Sequence, residues 1–168
     1  MLENAGTAAT PSDGDLGKID LAALRWFKEK RGISATTLAK LPVASGTAYF
    51  PDAGKKLPAV FFKYPHGWKV RSFPEKHFVS GDDLCRTFWN IERVLKAKPE
   101  IVYIVEGEPD VCALVEAGIS ETQVIGCHGA KDKKAAIPQP NFRMRITGEH
   151  DPANRISVFD HVVLGGPN

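Results

Sequence analysis

The feature that most constrains the fold of this chain is a strand, helix and strand pattern between residues 101 and 125. The apolar run from Ile101 to Val105 predicts a buried strand, and the segment from Pro109 to Gly118 has a helical start, helical spacing and a glycine stop. Gln123 to Ile125 predicts a second short strand. Strand, helix and strand within about 25 residues form a βαβ unit, whose strands should be parallel and whose crossover should be right-handed.

The residues before this unit predict a small lobe of helices and antiparallel strands. Asp20 and Ser34 are suitable N-caps for two helices, and Gly32 suits the end of the first helix. Residues 43–78 alternate apolar runs with turn-forming proline and glycine, which favours a small antiparallel sheet. A further helix is predicted from Thr87 to Leu95, where apolar residues share one helical face.

We therefore divide the chain into three parts. Residues 1–18 are polar and small without a hydrophobic period, and they predict a disordered leader. Residues 19–98 form the small α+β lobe, and residues 99–168 form an α/β domain around the βαβ unit. The pattern weakens after residue 130, where only Ile156 to Leu164 predicts one more strand, so the second domain is expected to be truncated or degenerate.

The charged residues are segregated along the chain. Lysine and arginine dominate residues 55–76, whereas residues 100–121 carry acids and no lysine or arginine, although the formal net charge is only +2. A basic segment attracts polyanions and an acidic one attracts metal ions. The three cysteines have no paired CxxC spacing, so we expect neither zinc nor a disulfide framework. No apolar run approaches membrane-spanning length, so we expect a cytoplasmic protein without a membrane partner.

The acids that follow the first strand of the βαβ unit are the strongest candidates for chemistry. Glu106 comes directly after that strand, and ligands of α/β sheets bind at the carboxyl ends of strands. Gly107 permits close backbone approach, and Asp110 lies in the first turn of the helix, where anionic phosphate is favoured. Mg²⁺ is usually held by one or two carboxylates plus substrate phosphates. Alternatively, Glu108 and Asp110 only complement the helix dipole.

The segment Ile104-Val105-Glu106-Gly107-Glu108-Pro109-Asp110-Val111-Cys112-Ala113-Leu114 resembles the first motif of the Toprim fold. Primases, topoisomerases and some nucleases share that fold, and this variant is similar to phage-type primase–helicases and their Twinkle-like relatives. The resemblance implies a Toprim-like core in which Glu106 is the catalytic or metal-site glutamate and Asp110 supports the same acidic centre. Gly126 to Ala130 resembles the glycine-containing turn that follows the second strand in these primases.

The basic strands resemble the lobe that precedes Toprim in the same primases. Lys69 and Arg71 should point to one face of their strand, because side chains two residues apart share a side of the sheet. By the resemblance, Lys69, Arg71 and Lys76 contact template or nucleotide phosphates. Aromatic residues interrupt these strands and can stack on bases of a single strand, although most aromatics of a small sheet are core residues. They are Phe61, Phe62, Tyr64, Trp68, Phe73 and Phe78.

The chain departs from the Toprim pattern in its second acidic motif. Toprim proteins normally carry an Asp-x-Asp pair on the strand after the second helix, and no such pair follows the βαβ unit here. Asp160, with Val162 at the second position, is the nearest substitute, so we take it as a candidate metal ligand beside Glu106 and Asp110. The zinc module and the Gly-x-x-x-x-Gly-Lys-Ser/Thr loop of phage-type primase–helicases are missing as well.

Together these features predict a DNA primase-like nucleotidyltransferase domain of phage or prophage replication. It would act as a primase-type RNA polymerase if its acidic site is complete, binding single-stranded DNA and nucleoside triphosphates with Mg²⁺ or, in its place, Mn²⁺. A replicative helicase on a separate chain is a candidate partner. One alternative is a non-catalytic module that binds nucleic acid or a protein partner, and another is a Toprim nuclease.

Overall fold

The computed structural model describes residues 11, 13–80 and 87–127 together with the backbone of two further strands, residues 143–147 and 161–165. The described residues divide into two compact units. The first unit lies within residues 1–63 and 67–81, and the second lies within residues 64–66 and 82–168. No helix in these described segments is both long enough and apolar enough to cross a membrane.

Two helices open the first unit, and both have the caps that the sequence predicts. In chain order, the helical elements are a 3₁₀ turn at Asp13–Asp15, helix α1 at Leu21–Arg31 and helix α2 at Ala35–Ala39. The Asp20 carboxylate accepts a hydrogen bond of 2.8 Å from the N–H of Ala23. Gly32 ends α1 with a φ of 70°, a conformation that glycine adopts without steric cost. Ser34 caps α2 by accepting from the N–H of Thr37 at 3.3 Å.

The four strands of the first sheet follow one another in space as they do in the chain. They are β1 at Val43–Phe50, β2 at Lys55–Tyr64, β3 at Gly67–Ser72 and β4 at Phe78–Ser80. The antiparallel pairing of β1 with β2 and of β3 with β4 confirms the predicted antiparallel sheet. Strand β1 pairs with β2 along its whole length, from Val43 opposite Phe62 to Phe50 opposite Lys55.

One face of this sheet supplies an apolar core. Its buried members are Ala44, Ala48, Phe50, Ala59, Phe61, Trp68 and Val70. The expectation that most aromatics near the basic strands are core residues is confirmed, because five of the six that we singled out are buried. Phe78 is the exception, with 45% of its surface exposed.

The second unit contains the βαβ arrangement. Its elements are α3 at Ile91–Ala97, β5 at Ile101–Val105, α4 at Glu108–Glu116, β6 at Val124–Gly126, β7 at Arg143–Thr147 and β8 at His161–Gly165. Strands β5 and β6 pair in parallel, with Tyr103 opposite Val124 and Val105 opposite Gly126, as predicted. The sheet order is β6-β5-β8-β7, and β8 runs antiparallel to both of its neighbours. The fold is thus α/β with a mixed sheet, and among its described strands β5 and β6 are the parallel pair.

The prediction of a helix from Thr87 was wrong at its start, because α3 begins only at Ile91. The N–H of Trp89 donates to the carbonyl of Gly126 at 2.8 Å, and the N–H of Gly126 donates back at 3.2 Å. Asn90 then takes a φ of 65°, and its side-chain amide donates to the carbonyl of Val124 at 2.9 Å. Pairing with a distant strand has therefore overridden the local helical pattern.

Helix α3 belongs to the second unit, although we assigned it to the first lobe from the sequence. Its residues Ile91 and Val94 join Phe88 in an apolar cluster with side chains of β5 and β6. The partners from these strands are Val102, Ile104 and Ile125. Because α3 buries its apolar face against β5 and β6, the units part near residue 81, whereas the sequence division lies at residue 98.

Strand β7 is absent from the sequence prediction. Its residues alternate, with Met144 and Ile146 apolar and the flanking Arg143, Arg145 and Thr147 polar, a period-two pattern typical of a half-buried strand. Strand β8 covers the end of the strand predicted from Ile156 to Leu164, and residues 156–160 lie outside the described part of the chain.

Candidate acidic site

Strand β5 carries Glu106 to the exposed end of the sheet. Val102, Ile104 and Val105 are buried, and the chain leaves the core immediately after them, so that the side chain of Glu106 is exposed. The neighbouring strand continues the parallel pairing past this point, because the N–H of Cys127 donates to the carbonyl of Val105 at 2.8 Å. Glu106 therefore stands at the carboxyl end of a parallel strand, the position expected from the sequence.

Gly126 fixes the close approach of β6 to the loop after β5. A Cβ atom on Gly126 would lie 3.1 Å from the carbonyl carbon and the oxygen of Gly107. It would also lie 3.1 Å from the Cγ2 atom of Val111 on α4. Such contacts are tighter than ordinary van der Waals contacts, so a side chain at position 126 would displace the backbone beside Glu106. The glycine is needed here for packing.

Asp110 brings a second carboxylate to the same loop. It is exposed in the first turn of α4, and an ideal Cβ atom on Gly107 would lie 3.8 Å from its Oδ2 atom. The Asp110 carboxylate therefore lies beside the residue that follows Glu106. The N–H groups of Asp110 and Val111 both donate to the carbonyl of Gly107 at 3.2 Å, so these two N–H groups close the first turn of the helix.

Glu108 lies between these two acids in the chain but has a different environment. Its side chain is only 3% exposed, and its Oε1 atom accepts a hydrogen bond from the hydroxyl of Tyr64, which is also buried. Burial raises the pKa of Tyr64 well above its usual value, and the nearby Glu108 carboxylate raises it further. Tyr64 thus remains a protonated donor near neutral pH. We did not single out Glu108 as a buried group from the sequence, because its partner lies 44 residues away.

Cys112 is not a candidate nucleophile. Its thiol is fully buried on the inner face of α4, and burial raises its pKa, with a further contribution from Glu108. Because the thiolate is the reactive form of cysteine, a thiol with a raised pKa is inert.

The donor set fits an ion that is shared with a substrate. Glu106 and Asp110 offer carboxylate oxygens. Mg²⁺ is usually bound by one or two protein carboxylates, while substrate phosphates and waters complete its coordination shell. Among residues 11, 13–80 and 87–127, no three His, Cys, Asp or Glu side chains come together as a group able to hold a metal. Asp160, the third predicted ligand, lies outside the described residues, immediately before β8.

An Asp-x-Asp sequence occurs earlier in the chain, at Asp13-Gly14-Asp15. It forms the 3₁₀ turn ahead of α1 in the first unit. The Toprim pattern places this pair on a strand that follows the second helix of the core. The sequence at Asp13 to Asp15 therefore does not supply the missing acidic motif.

The three predicted phosphate ligands of the first unit have different environments. Lys76 is exposed, and its Nζ atom lies 5.4 Å from the centre of the Phe78 ring. Lys69 is half-buried, and its Nζ atom lies 5.3 Å from the same ring. Arg71 is only 8% exposed, with its guanidinium 4.7 Å from the ring centre of Trp26 on α1. Its role as a phosphate ligand stays a prediction.

Comparisons of this chain with models of protein families, with curated proteins and with solved structures found no match. The Toprim resemblance therefore stays a prediction from the sequence alone, carried mainly by the residues from Ile104 to Leu114.

Proposed function

We propose that this chain is a primase-like nucleotidyltransferase domain that joins nucleotides on a single-stranded DNA template. The observation that carries this proposal is the exposed Glu106 at the carboxyl end of β5, with the Asp110 carboxylate beside Gly107. Ligands of α/β folds bind at such strand ends, and the positive end of the α4 dipole favours a phosphate there. An acidic pair next to a helix N-terminus suits a triphosphate bound together with a cation.

The reaction is attack of a primer 3′-hydroxyl on the α-phosphorus of a nucleoside triphosphate, which releases pyrophosphate. When bound by Glu106 and Asp110, Mg²⁺ would neutralise charge on the triphosphate and lower the pKa of the attacking hydroxyl. The residues of the second unit keep the two carboxylates in place. The hydrogen bond from Tyr64 to Glu108 fixes the first turn of α4, and Gly126 keeps β6 against Gly107.

In the first unit, Lys69 and Lys76 would bind phosphates of the template strand. Their ammonium groups both lie near the exposed ring of Phe78, within a segment dominated by lysine and arginine. Phosphate contacts of this kind supply affinity without sequence preference, and they weaken as salt rises. The proposal therefore includes salt-sensitive binding of single-stranded DNA.

The test is primer synthesis on single-stranded DNA with nucleoside triphosphates and Mg²⁺. Glu106→Gln preserves the size of the side chain and removes its charge, so we expect it to lower product formation about a hundredfold or more. The matched control is Glu100→Gln, because Glu100 is exposed just before the opposite end of β5. Equal activity of the two variants, each well folded, would overturn the proposed role of Glu106.

A second candidate function is a nucleic-acid-binding module without catalysis. It is favoured by the exposed Phe78 with two ammonium groups near its ring, which can bind a single strand without a metal ion. Binding that is unchanged in Glu106→Gln, together with no synthesis by the unsubstituted protein, would support this function. Cleavage of the DNA in the absence of nucleotides would instead support the Toprim nuclease.

A further inference from the structure

An exposed aromatic ring, that of Phe78, lies on the face of the β3–β4 hairpin opposite the apolar core of the first unit. Val70 and Val79 are paired across these strands and pack toward the apolar core of the first unit. Because side chains alternate along a strand, the neighbouring Phe78 points away from that core, on the face that also carries Lys69. Phe78 is 45% exposed, whereas the other aromatics of this basic segment are buried.

Two ammonium groups lie near this ring. The Nζ atoms of Lys69 and Lys76 lie 5.3 Å and 5.4 Å from its centre, within the range of a cation–π contact. Contacts of this type are weak at exposed sites, so the ammonium group of the exposed Lys76 can leave the ring for a phosphate oxygen at little cost. The same three side chains therefore offer one apolar surface and two positive charges.

We infer that Phe78 is a stacking platform for one base of single-stranded DNA, and that Lys69 and Lys76 bind phosphates next to that base. This inference rests on the proposed function, since it names the surface that holds the template strand. The surface formed by Lys69, Lys76 and Phe78 is positively charged and so complements a polyanion. Its aromatic ring can stack on the flat face of any base. A duplex hides those faces within its own stack, so this surface should prefer single strands and show little sequence preference.

Arg71 and Trp26 limit the extent of the platform. Arg71 is opposite Phe78 in the strand pairing, but its guanidinium lies against the Trp26 ring of α1 and is buried. Trp26 in turn stacks on Phe73, with ring centres 5.6 Å apart. The rings of Trp26 and Phe73 are packed against side chains of the first unit. We therefore assign the base to the exposed ring of Phe78.

The experiment is fluorescence anisotropy with a labelled oligothymidylate, at several salt concentrations, using the full chain. Phe78→Ala should weaken binding about tenfold, since stacking on an aromatic side chain contributes about 1–3 kcal/mol per base. Lys76→Ala should weaken binding and reduce the slope of log affinity against log salt by about 0.7, the value for one phosphate of a single strand. Phe78→Trp should retain affinity and show quenching of indole fluorescence on binding.

The matched control is Tyr49→Ala. Tyr49 is an exposed aromatic of the same sheet and faces Lys56 across the β1–β2 pair, so it offers a ring and a cation at another place. We expect its substitution to change affinity less than twofold. Phe78→Leu keeps an apolar side chain for folding and removes the flat ring, so it should bind like Phe78→Ala while its melting temperature stays close to that of the unsubstituted protein.

The outcomes separate this inference from the proposed function. Normal binding by Phe78→Ala and Phe78→Leu, with binding by the unsubstituted protein intact, would overturn the platform and leave the proposed function standing. Equal affinity for duplex and single strand would also overturn the platform. A failure of the unsubstituted protein to bind single-stranded DNA at low salt would overturn both.

Discussion

The hydroxyl of Tyr64 donates a hydrogen bond to the carboxylate of Glu108, and both side chains are buried in the second unit. Glu108 is the first residue of α4 and lies two positions after Glu106. The hydrogen bond therefore stabilises the start of α4, two residues after the exposed Glu106. Hydrogen bonds to charged groups in a protein interior are stronger than neutral ones, so we expect this contact to stabilise the first turn of α4.

Tyr64→Phe should destabilise the protein by about 1–3 kcal/mol, because it takes a donor away from a buried carboxylate without changing the packing of the ring. The measurement is the free energy of unfolding from urea denaturation. Glu108→Gln is the companion variant, since the amide still offers an acceptor oxygen. A double-mutant cycle of the two should give a coupling energy of at least about 0.5 kcal/mol. Additive effects would contradict the contact.

Gly126→Ala should destabilise the second unit by about 1–3 kcal/mol, because its Cβ atom would lie 3.1 Å from the Gly107 backbone. Gly46→Ala is the matched control, since the nearest atom to its Cβ is a Phe61 carbon at an ordinary 3.6 Å. Thermal unfolding of both variants checks this expectation. A melting temperature for Gly126→Ala equal to that of Gly46→Ala would show that β6 can move away from the Gly107 backbone without loss of stability.

His77 and Asp52 form a pH-dependent contact in the first unit, with 2.6 Å between Nδ1 and Oδ2. The hydrogen bond to Asp52 raises the pKa of His77 above its usual 6.5, and the same bond lowers the pKa of Asp52 below 3.8. The stabilisation from His77 is complete below pH 6.5 and is lost as pH rises through the raised value. The stabilisation from Asp52 is complete above pH 3.8 and is lost as pH falls through the lowered value.

NMR titration of His77 in the unsubstituted protein and in Asp52→Asn checks this contact. We expect the substitution to lower the pKa of His77 toward 6.5, with Glu75 retaining part of the effect through its oxygen 3.6 Å from Nε2. High salt should reduce the difference between the two proteins, because the contact is largely exposed to solvent. The same pKa in both proteins would contradict the hydrogen bond.

The elements with strong local signals were predictable from the sequence. The caps Asp20 and Gly32 bound α1 as expected, and the apolar run from Ile101 to Val105 is β5 in the structure. Parallel pairing of β5 with β6 followed from the length of the helical connection between them. In each case the deciding interactions involve residues close together in the chain.

The features that escaped prediction depend on partners far away in the chain. The start of α3 is set by the pairing of Trp89 with Gly126 and by the amide of Asn90, which reaches the carbonyls of Glu121 and Val124. The burial of Glu108 depends on Tyr64 in the same way. Local periodicity carries no information about such contacts, so the sequence suggests the exposed acids of the candidate site but not the burial of Glu108 between them.

The most direct test of the proposed chemistry is a measurement of dinucleotide formation on single-stranded DNA as Mg²⁺ is titrated. We expect Mg²⁺-dependent product from the unsubstituted protein and from Glu100→Gln, and a loss of about a hundredfold or more in Glu106→Gln with its fold intact. Product formation by Glu106→Gln at the rate of Glu100→Gln would contradict the account, and so would the absence of product from the unsubstituted protein.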